Sequence, residues 1–252
     1  MRRISVIIGG AGTSSDPIYN GVNADVVNIQ NLLTSPTGGA WIKTKDNKNE
    51  VILGINPSKE KLLSLIDKIN KANVYYCFIY FAGHGGYSQK QNENLLKING
   101  TESIKQSDLY TTAKKQLIIS DACQTIIPSE YLGFIAEQIK FPTKVPAQAA
   151  RSLFYSQLNQ ASEGIVLVQG CSHNEESFGD DTGGYYTQSI LKATKNWSET
   201  LNQFNVLAID SAFSESVNYL ASNFKTNQNP SLNDSNIRYP FAIKSTATSL
   251  LS

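Results

Sequence analysis

Val74-Tyr75-Tyr76-Cys77-Phe78-Ile79-Tyr80-Phe81-Ala82-Gly83-His84-Gly85-Gly86 is the stretch on which the fold turns. Gln116-Leu117-Ile118-Ile119-Ser120-Asp121-Ala122-Cys123-Gln124 repeats its form. Both begin as near-continuous apolar runs of β-branched and aromatic residues, the pattern of strands buried on both faces of a parallel sheet. Each run ends on a reactive side chain, His84 in the first and Cys123 in the second. Catalytic groups and ligands gather at the carboxyl ends of such strands. A nucleophile-and-base pair is therefore the leading expectation.

Outward from these two runs, strands alternate with helices. Ile4 to Ile8 reads as a strand, followed by a glycine turn from Gly9 to Thr13. That turn lacks the Gly-Lys-Ser/Thr ending of a P-loop and the full dinucleotide fingerprint, so it reads as a flexible turn beside the active face. Asn23 is expected to cap a helix through Val26, Ile29 and Leu33 that ends near Ser35-Pro36. Trp41 to Gly54 suggests a hairpin, or a strand with a polar turn at Asp46-Asn47. Pro57-Ser58 starts a helix with Leu62, Ile66 and Ile69 on one face. Asn99-Gly100 closes a short strand at Leu95 to Ile98. Further on come a helical piece from Arg151 to Leu158, a buried strand from Gly164 to Gln169 and a helix opened by Gly183-Gly184. A helix over about Ala208 to Phe224 and a last strand at Tyr239 to Ile243 close the chain. This alternation predicts an α/β fold: a mainly parallel central sheet with helices on both faces.

Composition narrows the class. At 252 residues the chain suffices for one large α/β domain whose core needs neither disulfides nor metal. With 22 basic and 21 acidic residues, no bulk field favours nucleic acid or an anionic membrane. No apolar run approaches the roughly 20 residues that span a bilayer, and Met1-Arg2-Arg3 is not followed by a signal-peptide core. Three cysteines, an odd number, argue for a reducing compartment. The expected location is cytoplasmic.

A thiol near neutral pH is only partly ionised, so a catalytic cysteine needs an imidazole or another positive influence beside it. The imidazole then acts as general acid toward the leaving amine. The backbone N–H groups of Gly85 and Cys123 are the natural pair to hold an oxyanion. A buried cysteine is usually only a small hydrophobe, the reading given to Cys77, and a lone His-Gly is commonly a turn. The joint placement of His84 and Cys123 at two strand ends favours catalysis.

Phe81-Ala82-Gly83-His84-Gly85 followed by Ile118-Ile119-Ser120-Asp121-Ala122-Cys123 resembles the histidine and cysteine motifs of the caspase and metacaspase superfamily of cysteine peptidases. The caspase signature Gln-Ala-Cys-[Arg/Gln/Gly]-Gly is met only in part, because Asp121 and Thr125 replace its Gln and final Gly. Asp-x-Cys is instead the form in metacaspases and their bacterial relatives. Gly21 to Asp25, Gly170-Cys171-Ser172, Gly183-Gly184-Tyr185 and the closing segment from Asn229 to Phe241 also resemble family elements. The resemblance covers nearly the whole chain. It implies a three-layer caspase-like fold and a single peptidase domain over 1–252. Residues 1–124 would be large-subunit-like, 125–163 a connection and 164–252 small-subunit-like.

The resemblance also implies a substrate. Metacaspases line their primary pocket with the aspartate two before the cysteine and one at the start of the first helix, positions matched by Asp121 and Asp25. Two carboxylates there favour a cationic side chain, so the expected partner is a protein or peptide with Arg or Lys at P1. Alternatively Asp25 is only a helix-start carboxylate. Ala82 stands where the family often has Ser. The scattered Glu93, Glu102 and Asp108 do not reproduce the paired aspartates of calcium-binding members, so neither a metal nor another cofactor is expected, and Asp180-Asp181 reads as a solvated loop. His173 either lines the cleft or is an exposed loop residue. Lys140, Lys144 and Arg151 lie in the connection where caspases are cut, with Arg151 the best candidate for self-cleavage. Small bacterial relatives suggest a role in defence. The rival readings are a catalytically idle caspase-like adaptor or sensor, and a small-nucleotide binder built on Gly9 to Thr13. No activator is legible.

Overall fold

The computed structural model describes residues 2–44, 46, 48–122, 138–142, 145–200 and 205–244. In chain order the elements are β1 (Arg3–Gly10), α1 (Tyr19–Thr34), β2 (Val51–Ile55), α2 (Lys59–Lys71), β3 (Tyr76–Gly83), β4 (Gly85–Ser88), β5 (Glu93–Lys97), β6 (Ser103–Lys105) and β7 (Lys115–Ala122). They continue with α3 (Ala147–Gln160), β8 (Gly164–Gln169), β9 (Gly179–Asp180), β10 (Gly183–Gly184), α4 (Tyr185–Glu199), β11 (Val206–Ala208), α5 (Ile209–Asn223), β12 (Ser231–Leu232) and β13 (Pro240–Ile243).

The central sheet has six strands in the order β12-β8-β7-β3-β1-β2. All its pairings are parallel except that of the short edge strand β12. Period-two alternation divides the core between the two faces. Tyr76, Phe78, Tyr80 and Ala82 of β3 pack with Ile7, Leu117 and Ile119 and with residues of α1, α3, α4 and α5. Cys77, Ile79 and Phe81 point the other way, with Ile4, Val6, Ile8 and Ile118, against α2 and the β4–β6 sheet. Helices lie on both faces of a mainly parallel sheet, as the alternating pattern predicts. Among the described residues no helix is long and apolar enough to cross a membrane.

Local chemistry fixes the helix ends. Ser58 caps α2 by accepting the Lys61 N–H, and Leu62, Ile66 and Ile69 form its buried stripe. At the end of α3 the buried Lys115 ammonium donates to the carbonyls of Leu158 (2.5 Å) and Ala161 (2.6 Å), occupying acceptors that a helix end leaves open. Nearby, Glu50 bridges two arginines. Arg151 forks onto its carboxylate, Nη1 to Oε2 at 2.7 Å, and buried Arg3 approaches Oε2 at 3.5 Å. Burial alone would raise the Glu50 carboxyl, but the Arg151 hydrogen bond and the Arg3 charge outweigh it and hold it below the usual range. Burial pulls Arg3 down to about 10, and its guanidinium lies over the rings of Trp41 (4.2 Å) and Phe154 (4.9 Å).

One expectation needs correction. The first helix begins at Tyr19, so Asn23 is an interior residue whose amide donates back to the Tyr19 carbonyl at 2.7 Å. From Trp41 to Gly54 the second of the two readings holds, a strand with a polar turn: β2 runs parallel to β1, and the Asp46 carbonyl accepts the Asn49 N–H at 3.2 Å. Asn47, placed in that turn, lies outside the described residues. The expected last strand is present as β13, which pairs with β11 apart from the central sheet. Boundaries agree within two residues for β3 and residue for residue for β8, whereas α3 begins at Ala147, ahead of the expected Arg151.

Candidate active site

His84 follows directly on β3 and Cys123 on β7. The two strands run parallel with Gly83 opposite Ala122, the residues immediately before the two predicted catalytic groups. Cys123 itself, as nucleophile and as oxyanion donor, lies outside the described residues. The His84 side chain is about one-third exposed, and its Nε2 lies 3.1 Å from Asp16 Oδ1. Asp16 comes from the turn between β1 and α1 and was not singled out from the sequence. Gly85 opens β4, half-buried, opposite Leu96 of β5.

The two predicted pocket carboxylates come together beneath β10. Asp25 projects from α1 and Asp121 from the end of β7, and both are buried. The Asp121 carboxylate accepts the Ser177 hydroxyl (2.7 Å), the Thr187 N–H (2.9 Å) and the Thr187 hydroxyl (2.6 Å). Tyr80 in turn shares a 2.7 Å bond with the Thr187 hydroxyl. Asp25 accepts the Gly184 N–H at 2.9 Å. Burial raises both carboxyls above their usual range, and for Asp25 the neighbouring Asp121 charge pushes further in the same direction.

The glycines of β10 make the close approach possible. Gly183 has φ +136°, a backbone conformation that side chains resist, and a Cβ there would strike Asp25 Oδ1. A Cβ on Gly184 would strike Asp121 Oδ2. Bare backbone thus lies directly over both carboxylates.

Asp180-Asp181 is not a solvated loop. Asp181 is buried, and Asp180 Oδ1 accepts the Thr182 N–H (2.8 Å) and the Gln188 amide (3.0 Å). The Asp180 charge also bears on Asp25. The sequence offered little to separate this pair from a surface turn; only the adjacent Gly183-Gly184 hinted at a packed one. Ser177 and Thr187 were missed as well, being ordinary residues in sequence.

His173 is exposed, with its ring edge-on to Tyr87 of β4 at 4.2 Å, so it lies beside the strand that follows His84. Arg151 lies inside α3 with its guanidinium on Glu50 and on the Ala40 carbonyl (3.2 Å). Lys140 is exposed, outside any helix or strand, and Lys144 lies outside the described residues. Cys77 and Cys171 are buried, and burial pushes the Cys77 thiol up to about 12.

A parallel α/β sheet with His84 at one strand end and paired carboxylates beside the next has the fold of a caspase-like cysteine peptidase. Residues 2–242 match the family model of the caspase domain. The chain belongs to the caspase domain family.

Solved structures agree on the fold. Caspase-1 from Spodoptera frugiperda is 14% identical, with 97% of this chain and 91% of that chain covered and a TM-score of 0.60. A protein from Geobacter sulfurreducens is 15% identical, with 97% and 100% covered and a TM-score of 0.55. The Drosophila initiator caspase Dronc is 10% identical, with 94% and 81% covered and a TM-score of 0.54. Comparison with curated proteins finds no match.

Proposed function

We propose that the protein is a cysteine endopeptidase that hydrolyses peptide bonds after Arg or Lys. The register of β3 and β7 carries this reading, because the residues preceding His84 and Cys123 are partners on adjacent strands. In the proposed reaction His84 takes the Cys123 thiol proton. The thiolate then forms a bond to the scissile carbonyl carbon, and the carbonyl electron pair moves to oxygen, held by the N–H groups of Gly85 and Cys123. Collapse breaks the C–N bond as the imidazolium protonates the leaving amine. Water, deprotonated by the same imidazole, then releases the acid and restores the thiol.

Asp25 and Asp121 are assigned to the P1 side chain. An arginine guanidinium supplies planar, bidentate donors to carboxylates of this kind. Their burial and raised carboxyls support a cationic ligand over an acidic one. Asp25 is one of the buried face residues of α1, seven positions into the helix, which disfavours its reading as a helix-start charge.

The same proposal divides the chain into large-subunit-like 1–124, connection 125–163 and small-subunit-like 164–252. Self-processing after Arg151 would have to unwind the first turns of α3 and strip Arg151 from Glu50, so exposed Lys140 is the better candidate. A library of peptides varied at P1, incubated with wild type and Cys123→Ala, tests the activity. Cleavage after Arg and Lys that the variant lacks is expected; cleavage after Asp, or cleavage by both proteins, would overturn the reading.

A further inference from the structure

We propose that Asp16 is a positioning residue for this reaction: its carboxylate accepts the His84 Nε2–H and so presents Nδ1 to the Cys123 thiol. This rests on the Cys–His reading above. The contact is 3.1 Å between groups whose side chains are 15% and 36% exposed, shielded enough for a charge-assisted bond to fix the ring.

Asp16 does not hang from a loose loop. Its N–H donates to the Thr13 carbonyl at 2.8 Å, and its own carbonyl accepts the Tyr19 N–H at 3.0 Å. Asp16 Oδ1 also accepts the Ile18 N–H at 3.3 Å. Gly12, at φ +67°, lays bare backbone against the carboxylate; a Cβ there would come within 2.6 Å of Asp16 Oδ2. Asn56, just past β2, clamps Gly12 from below. It accepts the Gly12 N–H at 2.9 Å, donates to the Gly12 carbonyl at 2.6 Å, and is itself tied to the Gly9 carbonyl through its N–H at 2.8 Å. The carboxylate is thereby anchored to the carboxyl ends of β1 and β2, the same edge of the sheet from which His84 emerges.

The chemical consequence follows from the tautomer. With Nε2 donating its proton to Asp16, Nδ1 is the unprotonated nitrogen and the base. When Nδ1 takes the thiol proton, the imidazolium has a carboxylate at its other end, which stabilises the charge and holds the ring plane. The glycine turn from Gly9 to Thr13 then acts as the mount for this carboxylate.

The test compares wild type with Asp16→Asn, Asp16→Glu, His84→Ala and Cys123→Ala, by steady-state cleavage of an Arg peptide and by iodoacetamide alkylation of Cys123. Asp16→Asn keeps an oxygen for the Ile18 N–H, so the turn stays in place. Its kcat should fall by at least about tenfold and up to about 10⁴-fold, the loss when asparagine replaces the carboxylate that orients a catalytic base, with KM little changed. Asp16→Glu should recover part of the loss, and alkylation should slow in both Asp16→Asn and His84→Ala. Wild-type kcat and alkylation rate in Asp16→Asn, or a raised KM with unchanged kcat, would overturn the proposal while Cys123→Ala remained dead. Cleavage surviving Cys123→Ala would overturn the Cys–His reading itself and the role of Asp16 with it. The alkylation rates decide even for a peptide that is not turned over.

Discussion

Asp25→Asn removes a charge that folding has buried beside another carboxylate, and the consequences for stability and for function run in opposite directions. Asp25 is 2% exposed, and burial followed by the Asp121 charge raises its carboxyl well above the ordinary value. In the unfolded chain an aspartate titrates near about 3.9. Between that value and the raised folded one, the folded protein holds a proton that the unfolded chain has released, so stability falls as pH rises. Each unit of the lift is worth about 1.4 kcal/mol. Asparagine escapes this cost and still offers an oxygen to the Gly184 N–H. A gain above about 1 kcal/mol is therefore expected at pH about 8, or about 2–4 °C in Tm for a chain of this size, shrinking toward zero near pH about 4. If Asp25 binds a basic P1 side chain as proposed, the same change removes a charge-assisted bond worth about 1.5–3 kcal/mol, so kcat/KM for Arg peptides should fall roughly 10- to 150-fold. Urea unfolding at the two pH values, run beside peptide hydrolysis, measures both. A destabilised variant at the higher pH, or an equal gain at both, would refute the reasoning.

Other outcomes follow from the same geometry. Gly183→Ala would drive a methyl into Asp25 and strain the backbone, and kcat/KM for Arg peptides should drop on the order of 100-fold while His84→Ala-type loss of thiol alkylation is not seen. Inhibition by a small guanidinium or amidine compound such as benzamidine should weaken about tenfold per pH unit once pH falls below the raised carboxyl of Asp25, because binding expels its proton. Asp25→Asn should flatten that profile, and a pH-independent Ki in wild type would contradict it. Glu50→Gln should cost about 3–5 kcal/mol in urea unfolding at neutral pH by leaving buried Arg3 without its counter-ion. Since the fold lowers the Glu50 carboxyl, this difference is full above the unfolded value and disappears as pH falls through the folded one.

The parts of the fold written in runs of like residues were legible from sequence. The apolar strands β3, β7 and β8 and the stripe of α2 each carry a periodicity that one segment states alone. The pairing of Asp25 with Asp121 was legible only through resemblance, since nothing near Asp25 in sequence points to Asp121. What escaped was set by contacts between distant segments. Asp16 meets His84 across 68 positions and Thr187 meets Asp121 across 66, separations that no local pattern records. Asn23 misled for a related reason: a good capping residue was present, but the burial of Val22 and Gly21 against the core extends α1 beyond it, and tertiary packing overrode the local preference. Asp180-Asp181 looked solvated because acidic pairs usually are, whereas the close fit of β10 over Asp25 draws it inward.

The central claim, a nucleophilic Cys123 served by a pocket for basic side chains, meets its most direct test in covalent labelling. An arginine chloromethyl ketone should modify wild type once, at Cys123, with Cys77 untouched because burial holds its thiol near about 12. Cys123→Ala should take up no label, and an aspartyl chloromethyl ketone should be ignored by both. Labelling that persists in Cys123→Ala, or that prefers the aspartyl reagent, would contradict the account.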